Sequence, residues 1–433
     1  MRNYRLLFFV LTLALLLCTL AGAHGVLTPK EELTFNGKTL SSYASVQEVP
    51  EIEGYSAYAI NLNTGTVMYE KNSRDIVYPA STVKLMTAIV AFENIPNLDV
   101  EITHEKTYSA KELLNALLIG GDNDAAEALA IHVAGNVKDF CALMNEKAKE
   151  IGAEDTHFDN VTGFHADTQV TTARDTAIIG QYFYYIPELF EMCNTTRFQT
   201  DRMVVTNRNF LLQKVTTDAY FYSKAEGMNV GSTPEGGNCI VSTVTGNDGL
   251  VYLCVVMNSR KIDDVNHAYV DIRKIFDFCT DNFSYHTVAS TSTIMSELDV
   301  RNAVDVDSFA LFPSEDVKVL LPNDLDYAND ITFEKRVFAE KAEAPVNKGA
   351  EFGEIVVKYK GDVIIGRAKL VSDVSLDKSN VLYFFSRVES IVKGTWFTVF
   401  VVTASVLFAV YFGLSIYYRY FRKSKYTGTR LRK

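Results

Sequence analysis

The stretch YPASTVKLMTA, Tyr78–Ala88, places a serine three residues before a lysine at the predicted start of a helix. Residues three apart share one helix face, so Ser81 and Lys84 would present a hydroxyl and an amine side by side. A serine hydroxyl is a weak nucleophile until a base lies against it. A lysine serves as that base when burial lowers its pKa. By itself, Ser-x-x-Lys is more often a helix-capping serine followed by a solvated lysine.

The segments on either side of this stretch predict a mixed α/β (α+β) domain. SAYAINLNTGTVMYEKN, residues 56–72, reads as two strands around an Asn-Thr-Gly turn, and residues 238–258 read as a second hairpin. Between them, SAKELLNALLIGG, NDAAEALAIHVAG and KDFCALMNEKAKEIGA have the apolar spacing of helices. Strands at both ends with helices between them predict one domain over residues 50–285.

The sequence after this domain changes in composition and in predicted secondary structure. HTVASTSTIMSE, residues 286–297, is small and polar and is interpreted as a linker. VKVLLP, EIVVKYKG and DVIIGRAKLV are short β-rich runs separated by turn residues. They predict a small antiparallel β domain over residues 298–380.

In this setting the Ser81 stretch resembles the low-molecular-weight penicillin-binding D-alanyl-D-alanine carboxypeptidases, a serine-type family with a penicillin-recognising, β-lactamase-like fold. YAINLNTGTVMYEKN resembles the first hairpin of that family. FCALMNEKAKEIGAEDTHFDNVTGFHADTQVTTARDTAIIG is close to its pattern over some forty residues, and APVNKGAEFGEIVV resembles the signature of its C-terminal β domain. The resemblance spans roughly residues 50–380 in order.

The resemblance implies a hydrolase that acts on the D-Ala-D-Ala end of a peptidoglycan stem peptide. Ser81 would attack the peptide carbonyl and release the terminal D-Ala, while Lys84 shuttles the Ser81 proton. The backbone N–H groups of Ser81 and Ser232 would form the oxyanion hole. β-Lactams would then be expected ligands, and no cofactor is expected.

Two family motifs are altered in this chain. Ser-x-Asn is represented by Gly121-Asp122-Asn123, so the asparagine is kept and the proton-relaying serine is lost. Lys-Thr-Gly is represented by Asn229-Val230-Gly231, which lacks the cation and the hydroxyl that hold the substrate carboxylate. The expected catalytic residues are Ser81, Lys84 and Asn123. The expected substrate-binding residues are Asn229, Gly231 and Ser232.

Three hypotheses follow from an intact Ser81–Lys84 pair with altered partners. The first is a membrane-anchored carboxypeptidase that trims cell-wall precursors with weak activity. The second is a pseudoenzyme that binds peptidoglycan, a β-lactam or a protein partner at the cell surface. The third is a protein that is acylated on Ser81 and barely turns over, acting as a β-lactam sensor or sink.

The two termini predict a membrane protein, and the family resemblance implies a bacterial one. Residues 1–23 have a positive start, a short apolar core and a small-residue cleavage site, which are typical of a secretory signal peptide. Residues 396–418 form an uncharged run of 23 residues, enough for a transmembrane helix. Residues 419–433 carry seven Lys or Arg and no acid, so the C-terminus is expected in the cytoplasm and the catalytic domain outside.

Charge and cysteine usage limit the function classes. Without the two terminal segments, residues 24–395 have 33 basic against 53 acidic side chains, a net charge of −20. So acidic a domain is a poor binder of nucleic acid. The histidines have no metal-ligand spacing, and no metal site is predicted. Five cysteines follow the signal peptide, and their irregular spacing is not that of a disulfide-rich scaffold. One disulfide is possible, but the sequence does not assign its partners.

Overall fold

This computed structural model describes residues 49–214, 219–361 and 363–426. It divides into two compact units, the first reaching His286 and including Leu320–Tyr327, the second formed by Thr287–Val319 and the chain from Ala328 onward. The domain boundaries predicted from the sequence stay predictions. The predicted signal peptide, residues 1–23, and the last seven residues of the predicted tail lie outside the described residues.

The first unit is built on a five-stranded antiparallel sheet with helices on both faces. The strands up to the end of this unit are β1 Ser56–Asn61, β2 Val67–Lys71, β3 Glu101–Thr103, β4 Thr107–Ser109, β5 Arg197–Gln199, β6 Val204–Thr206, β7 Ala225–Thr233, β8 Gly237–Thr245, β9 Val251–Ser259, β10 Lys261–Ile262, β11 Val265–Asn266 and β12 Phe283–Ala289. The main sheet has the order β2-β1-β9-β8-β7, so β7 is an edge strand. Both predicted hairpins, β1–β2 and β8–β9, are confirmed.

Seven helices within the described residues complete this unit. They are α1 Val83–Asn94, α2 Ala110–Gly120, α3 Asn123–Ala134, α4 Val137–Glu150, α5 Ala173–Tyr184, α6 Pro187–Asn194 and α7 His267–Asp281. Alternate residues of β9 divide between the two sheet faces, as expected for a strand. Leu253 belongs to the core cluster shared with α1 and α5, and Gly180 of α5 packs closely against it. The opposite face packs against α7, where Val256 and Asp271 both lie beside Gly54.

Helix α1 is the central helix of the unit. Its first nine residues, from Val83 to Ala91, are all buried. A helix that is apolar on every side belongs inside a domain, because no face of it is suited to water. The two polar exceptions in this run are Thr87 and Lys84, and Lys84 is the one with a charged side chain, which is carried into the core with the helix.

The second unit contains a six-stranded sheet and two long helices. The remaining elements of the described chain are β13 Ser296–Arg301, β14 Ser308–Pro313, β15 Val317–Pro322, α8 Tyr327–Asp330, β16 Ile331–Val337, β17 Lys341–Glu343, β18 Glu351–Tyr359, β19 Val363–Ser372, α9 Asn380–Lys393 and α10 Thr395–Tyr426. The end of β15 and the first residue of α8 belong to the first unit. The sheet order is β16-β18-β19-β14-β13-β17, and its pairs are antiparallel except β13 with β17, which is parallel. The segment interpreted as a linker is in part a strand, because β12 continues through residue 289 and pairs with β15.

Helix α10 carries the predicted transmembrane segment. Its part Thr395–Tyr420 has 26 residues and a mean hydropathy of 2.3, and none of it is buried. Within the described residues it is the one helix long and apolar enough to cross a bilayer, judged by length and composition. Large apolar side chains such as Trp396 and Phe408 are exposed along it.

All five cysteines after residue 23 are buried and free. Burial of a thiol in apolar surroundings raises its pKa, as it does for Cys193 and Cys239, and such thiols are inert. They pack as small apolar residues, and the disulfide that the sequence allowed is not formed among them.

We expect the stability of the first unit to depend strongly on α1. Ile89→Ala removes a fully buried side chain at the centre of this helix and should lower the free energy of unfolding by about 2–5 kcal/mol. Ile76 is 57% exposed, so Ile76→Ala should change it by less than about 0.5 kcal/mol. Urea unfolding followed by far-ultraviolet circular dichroism measures both variants. Equal losses would contradict the central position of α1.

Candidate active site

Ser81 lies in a single 3-10 turn, Ala80–Thr82, which leads directly into α1. The amine of Lys84 lies 3.4 Å from the Ser81 hydroxyl and donates a hydrogen bond to it. It also donates to the backbone carbonyl of Thr162, which belongs to the loop after α4. The serine is half-buried and the lysine is only 1% exposed, so Lys84 approaches Ser81 from the protein interior.

The position of Lys84 lowers the pKa of its amine to about 8. Burial is the largest cause, because it disfavours the charged form, and the Arg208 guanidinium adds to the shift. The Asp122 carboxylate acts in the opposite direction. Since an unperturbed lysine has a pKa near 10.4, Lys84 has an appreciable neutral fraction at physiological pH and can accept a proton.

The backbone at Ser81 is fixed by close contacts. Ala80 has a φ of +48°, a left-handed conformation that costs energy for a residue with a side chain. A Cβ on Gly163 would stand 2.1 Å from the Ala80 carbonyl oxygen, and a Cβ on Gly231 would stand 2.5 Å from the Ser81 nitrogen. Only glycine fits at either place, so both neighbouring segments approach the Ser81 backbone more closely than any other residue would allow.

Most of the residues predicted for the site surround one cavity of about 550 Å³. Ser81 and Asn123 line it, together with Asn229, Gly231 and Ser232 of the edge strand β7. Lys84 does not line the cavity and lies behind Ser81 instead. The structure therefore brings the expected catalytic and substrate-binding residues together around a space large enough for a peptide terminus.

The altered second motif forms the junction between two helices. Gly121 ends α2 with a φ of +66°, and its N–H donates to the Ala116 carbonyl. The Asp122 side chain caps α3 by accepting from the N–H groups of Asp124 and Ala125. A left-handed glycine and a capping aspartate are the usual residues at such ends. The first two residues of the motif therefore end one helix and cap the next. Of the three motif residues, Asn123 alone adds a polar side chain to the cavity.

The altered third motif contributes no charged side chain to the cavity lining. Asn229 is buried, with 4% of its surface exposed, and its Oδ1 atom has no hydrogen-bond partner. Val230 follows it, half-buried, where the family has a hydroxyl. Neither side chain can supply an ionic contact to a carboxylate. The Gly231 position is retained, as expected from its contact with Ser81.

Arg208 is a site residue that the sequence reasoning missed. Among the described residues that line the cavity, it carries the one ionised side chain. The Arg208 backbone N–H donates to the Ile119 carbonyl at 3.0 Å, and the Arg208 backbone carbonyl accepts from the Tyr269 hydroxyl at 3.3 Å. Its Nη1 atom lies 3.0 Å from the place where a Cβ on Gly121 would stand. The one signal in the sequence is an arginine between two asparagines in an otherwise acidic domain.

A two-sided α/β sheet domain, with a serine and a buried lysine at the start of its central helix, defines the class of low-molecular-weight penicillin-binding proteins. The family described as D-alanyl-D-alanine carboxypeptidase matches residues 43–105 and 97–261. The C-terminal domain of penicillin-binding protein 5 matches residues 283–378. The chain therefore belongs to the D-alanyl-D-alanine carboxypeptidase family of penicillin-binding proteins.

Individual relatives agree with this assignment. The chain is 24% identical over 364 residues to the D-alanyl-D-alanine carboxypeptidase DacF of Bacillus subtilis, which covers 79% of this chain and 90% of the relative. It is 32% identical to the D-alanyl-D-alanine endopeptidase of Escherichia coli, over 49% of this chain and 74% of the relative. Penicillin-binding protein 5 from Haemophilus influenzae has a similar structure, with a TM-score of 0.57, 23% identity, and coverage of 77% and 100%. The predicted two-domain fold is confirmed.

The lowered pKa of Lys84 predicts the pH dependence of any Ser81 acylation that this amine assists. Only the neutral amine can take the serine proton, so the acylation rate should rise about tenfold per pH unit and level off above about pH 8. Stopped-flow measurements with a fluorescent penicillin between pH 6 and 9.5 test this. Lys84→Arg, with a permanently charged side chain, should be inert, and a flat profile in the unmodified protein would rule out Lys84 as the base.

Proposed function

We propose that the chain is a serine-type D-Ala-D-Ala carboxypeptidase-like protein that is acylated on Ser81 by peptidoglycan stem peptides. The observation that carries this proposal is the Lys84 amine, which is buried, has a pKa of about 8 and lies 3.4 Å from the Ser81 hydroxyl. A nucleophile, an adjacent base and a cavity are the minimum for covalent acyl transfer. Family membership supplies the substrate class.

The proposed reaction has two steps. Ser81 Oγ attacks the carbonyl of the D-Ala-D-Ala peptide bond, its proton passes to Lys84, and the carbonyl oxygen becomes an oxyanion between the N–H groups of Ser81 and Ser232. The C–N bond then breaks, the leaving amine takes up the proton that Lys84 accepted from Ser81, and free D-Ala departs. Water attacks the acyl-serine ester and passes a proton to Lys84. The ester C–O bond breaks, Ser81 Oγ takes that proton back, and the shortened peptide leaves as a carboxylic acid.

We expect slow turnover because the leaving-group side of the cavity lacks a proton relay. Gly121 has no hydroxyl to pass a proton to the departing amine. General acid–base contributions of this kind are worth about 10²–10⁴-fold in rate. Acylation by a β-lactam is less affected, since relief of ring strain helps to break the C–N bond.

The second candidate function is a binding protein without turnover. The observation that favours it is the structural role of Gly121 and Asp122 as helix ends, together with the uncharged Asn229 and Val230. Such a protein would hold a peptidoglycan terminus or a protein partner in the same cavity. It would differ from the first candidate in failing to form an acyl-enzyme.

We further propose that the chain acts at the outer face of a bacterial cell membrane. The apolar helix Thr395–Tyr420 would span the bilayer once, with the basic residues after it in the cytoplasm. The first unit would then reach the cell wall. The predicted signal peptide, with cleavage expected after Ala23, would agree with this orientation.

A fluorescent-penicillin gel tests acylation. The unmodified protein should be labelled, and Ser81→Ala should lose the label because it lacks the nucleophile. In parallel, release of D-Ala from a diacetyl-Lys-D-Ala-D-Ala peptide should be measurable with the unmodified protein and absent with Ser81→Ala. Ser232→Ala keeps the backbone N–H and should remain labelled, which makes it the matched control.

The other outcomes separate the candidate functions. Label without D-Ala release supports a protein that forms a stable acyl-enzyme. No label and no release, with an unchanged melting temperature, would remove both catalytic functions and leave the binding protein. Labelling that persists in Ser81→Ala would place the nucleophile elsewhere.

Membrane attachment has its own test. Deleting residues 395–433 removes the apolar helix and should move the protein from the membrane pellet to the soluble fraction after alkaline carbonate extraction. Replacing only the basic residues of the tail should leave it in the pellet, since the apolar length is unchanged. A full-length protein that carbonate extracts would contradict a membrane span.

A further inference from the structure

An exposed aromatic ring lines the Ser81 cavity beside the start of α7. Phe210 belongs to the cavity lining, and 40% of its surface is exposed. Its ring lies 5.8 Å from that of Tyr269, which in turn stacks on Tyr220 at 4.8 Å with an interplanar angle of 25°. Contact of an apolar ring with water is unfavourable. Held by two neighbouring rings, Phe210 offers a flat apolar surface to a ligand in the cavity.

The polar side chains next to this ring are neutral amides. Five of them line the cavity, namely Asn207, Asn209, Gln213, Asn238 and Asn266. The backbone N–H of Asn266 donates to the Tyr220 hydroxyl at 2.8 Å, and its side chain donates to Asn238 Oδ1 at 3.2 Å. Rings and amides are therefore connected, and we call Phe210, Tyr269 and these five amides the Phe210 wall.

Asn209 brings an unused hydrogen-bond donor to the Phe210 wall. Its side chain is held in place because Oδ1 accepts from the Leu211 N–H at 3.1 Å, and only 3% of the residue is exposed. Among the described residues, its Nδ2 atom has no hydrogen-bond partner. A buried donor that stays unpaired is costly. A ligand oxygen in the cavity that accepts from Nδ2 would remove that cost.

The charge of the cavity lies elsewhere. Among the described lining residues Arg208 carries the one ionised side chain, and its guanidinium lies beside Gly121 at the junction of α2 and α3. The Phe210 wall itself is neutral. A charged ligand group would lose water there without gaining an ion pair, and an aliphatic group would leave the amides unpaired. The Phe210 wall therefore suits a neutral ligand with one apolar face and several hydrogen-bonding groups.

A pyranose ring has this combination of surfaces. Its C–H groups form an apolar face that packs on an aromatic ring, while its hydroxyls donate and accept hydrogen bonds at the edge. An acetamido substituent adds a carbonyl oxygen that accepts from a free amide N–H. We propose that the Phe210 wall binds an N-acetylated amino sugar, with Asn209 Nδ2 donating to one of its oxygens.

This subsite deepens the proposed function and rests on it for the source of the sugar, because peptidoglycan consists of N-acetylated amino sugars that carry the stem peptides. Ser81 and Phe210 line one cavity of about 550 Å³, a size typical of small-molecule sites. The protein would then recognise a cell-wall sugar as well as the peptide that acylates Ser81.

Binding to a protein that cannot react tests the subsite. Full-length Ser81→Ala, in a detergent without a sugar head group, is titrated by calorimetry with N,N′-diacetylchitobiose and with cellobiose, which has the same rings without the acetamido groups. The acetylated disaccharide should bind about tenfold more tightly, because only it has the additional carbonyl acceptors.

Two substitutions at Phe210 separate the ring from mere apolar bulk. Phe210→Leu keeps an apolar side chain but removes the ring, and should weaken binding of the acetylated disaccharide about fivefold, whereas Phe210→Tyr should retain it. Phe338→Leu, at an exposed phenylalanine of the second unit, is the matched control and should change nothing. Equal affinity of Phe210→Leu and its parent overturns the proposal, and so does a failure of the acetylated disaccharide to bind.

The source of the sugar and the proposed function are tested separately. Where acylation occurs, a muramyl-pentapeptide should have a lower KM than the free pentapeptide at the same kcat, and Phe210→Leu should remove the difference. That result places the sugar on the same molecule as the peptide, whereas disaccharide binding that does not compete with the muramyl-pentapeptide assigns it to a neighbouring glycan strand. If the protein binds the disaccharide but is never acylated, the proposed function fails and the subsite stands.

Discussion

The arrangement of the first unit depends on one buried amine. Lys84 sits near the start of a helix that is apolar on all sides, and desolvation of an ammonium group is costly in such a place. The Thr162 carbonyl and the Ser81 hydroxyl give the amine hydrogen-bond partners, and its pKa falls. The loop after α4, the edge strand β7 and the 3-10 turn must therefore all meet at the beginning of α1. Glycines at 163 and 231 make that meeting sterically feasible.

Much of this fold is local and was readable from the sequence. Turn residues at 63–65 and 246–249 predict the two hairpins, and apolar spacing predicts α2, α3 and α4. The serine–lysine spacing predicts a pair on one face of a helix, and the structure places their side chains in contact. The linker prediction was wrong over residues 286–289, because strand pairing with a distant segment overrides a small, polar composition.

The rest of the site arises from contacts between segments far apart in the chain. The two flanking asparagines are the one local signal at Arg208, and its place in the cavity is set by hydrogen bonds to Ile119 and Tyr269. The motif comparison identified what Gly121 lacks, but its role as the end of α2 became visible only in the backbone. A comparison of sequence motifs identifies which side chains are missing from one segment. Side chains that replace them can come from any segment that folds against the same cavity.

The left-handed backbone at Gly121 limits how the cavity can be redesigned. A serine at this position would have to adopt a φ of +66°, and its Cβ would stand 3.0 Å from the Arg208 Nη1 atom. Because Arg208 is an exposed side chain, it can move aside, whereas the backbone conformation at the end of α2 stays unfavourable for serine. Installing a serine hydroxyl here therefore requires a rebuilt helix junction as well as a new side chain.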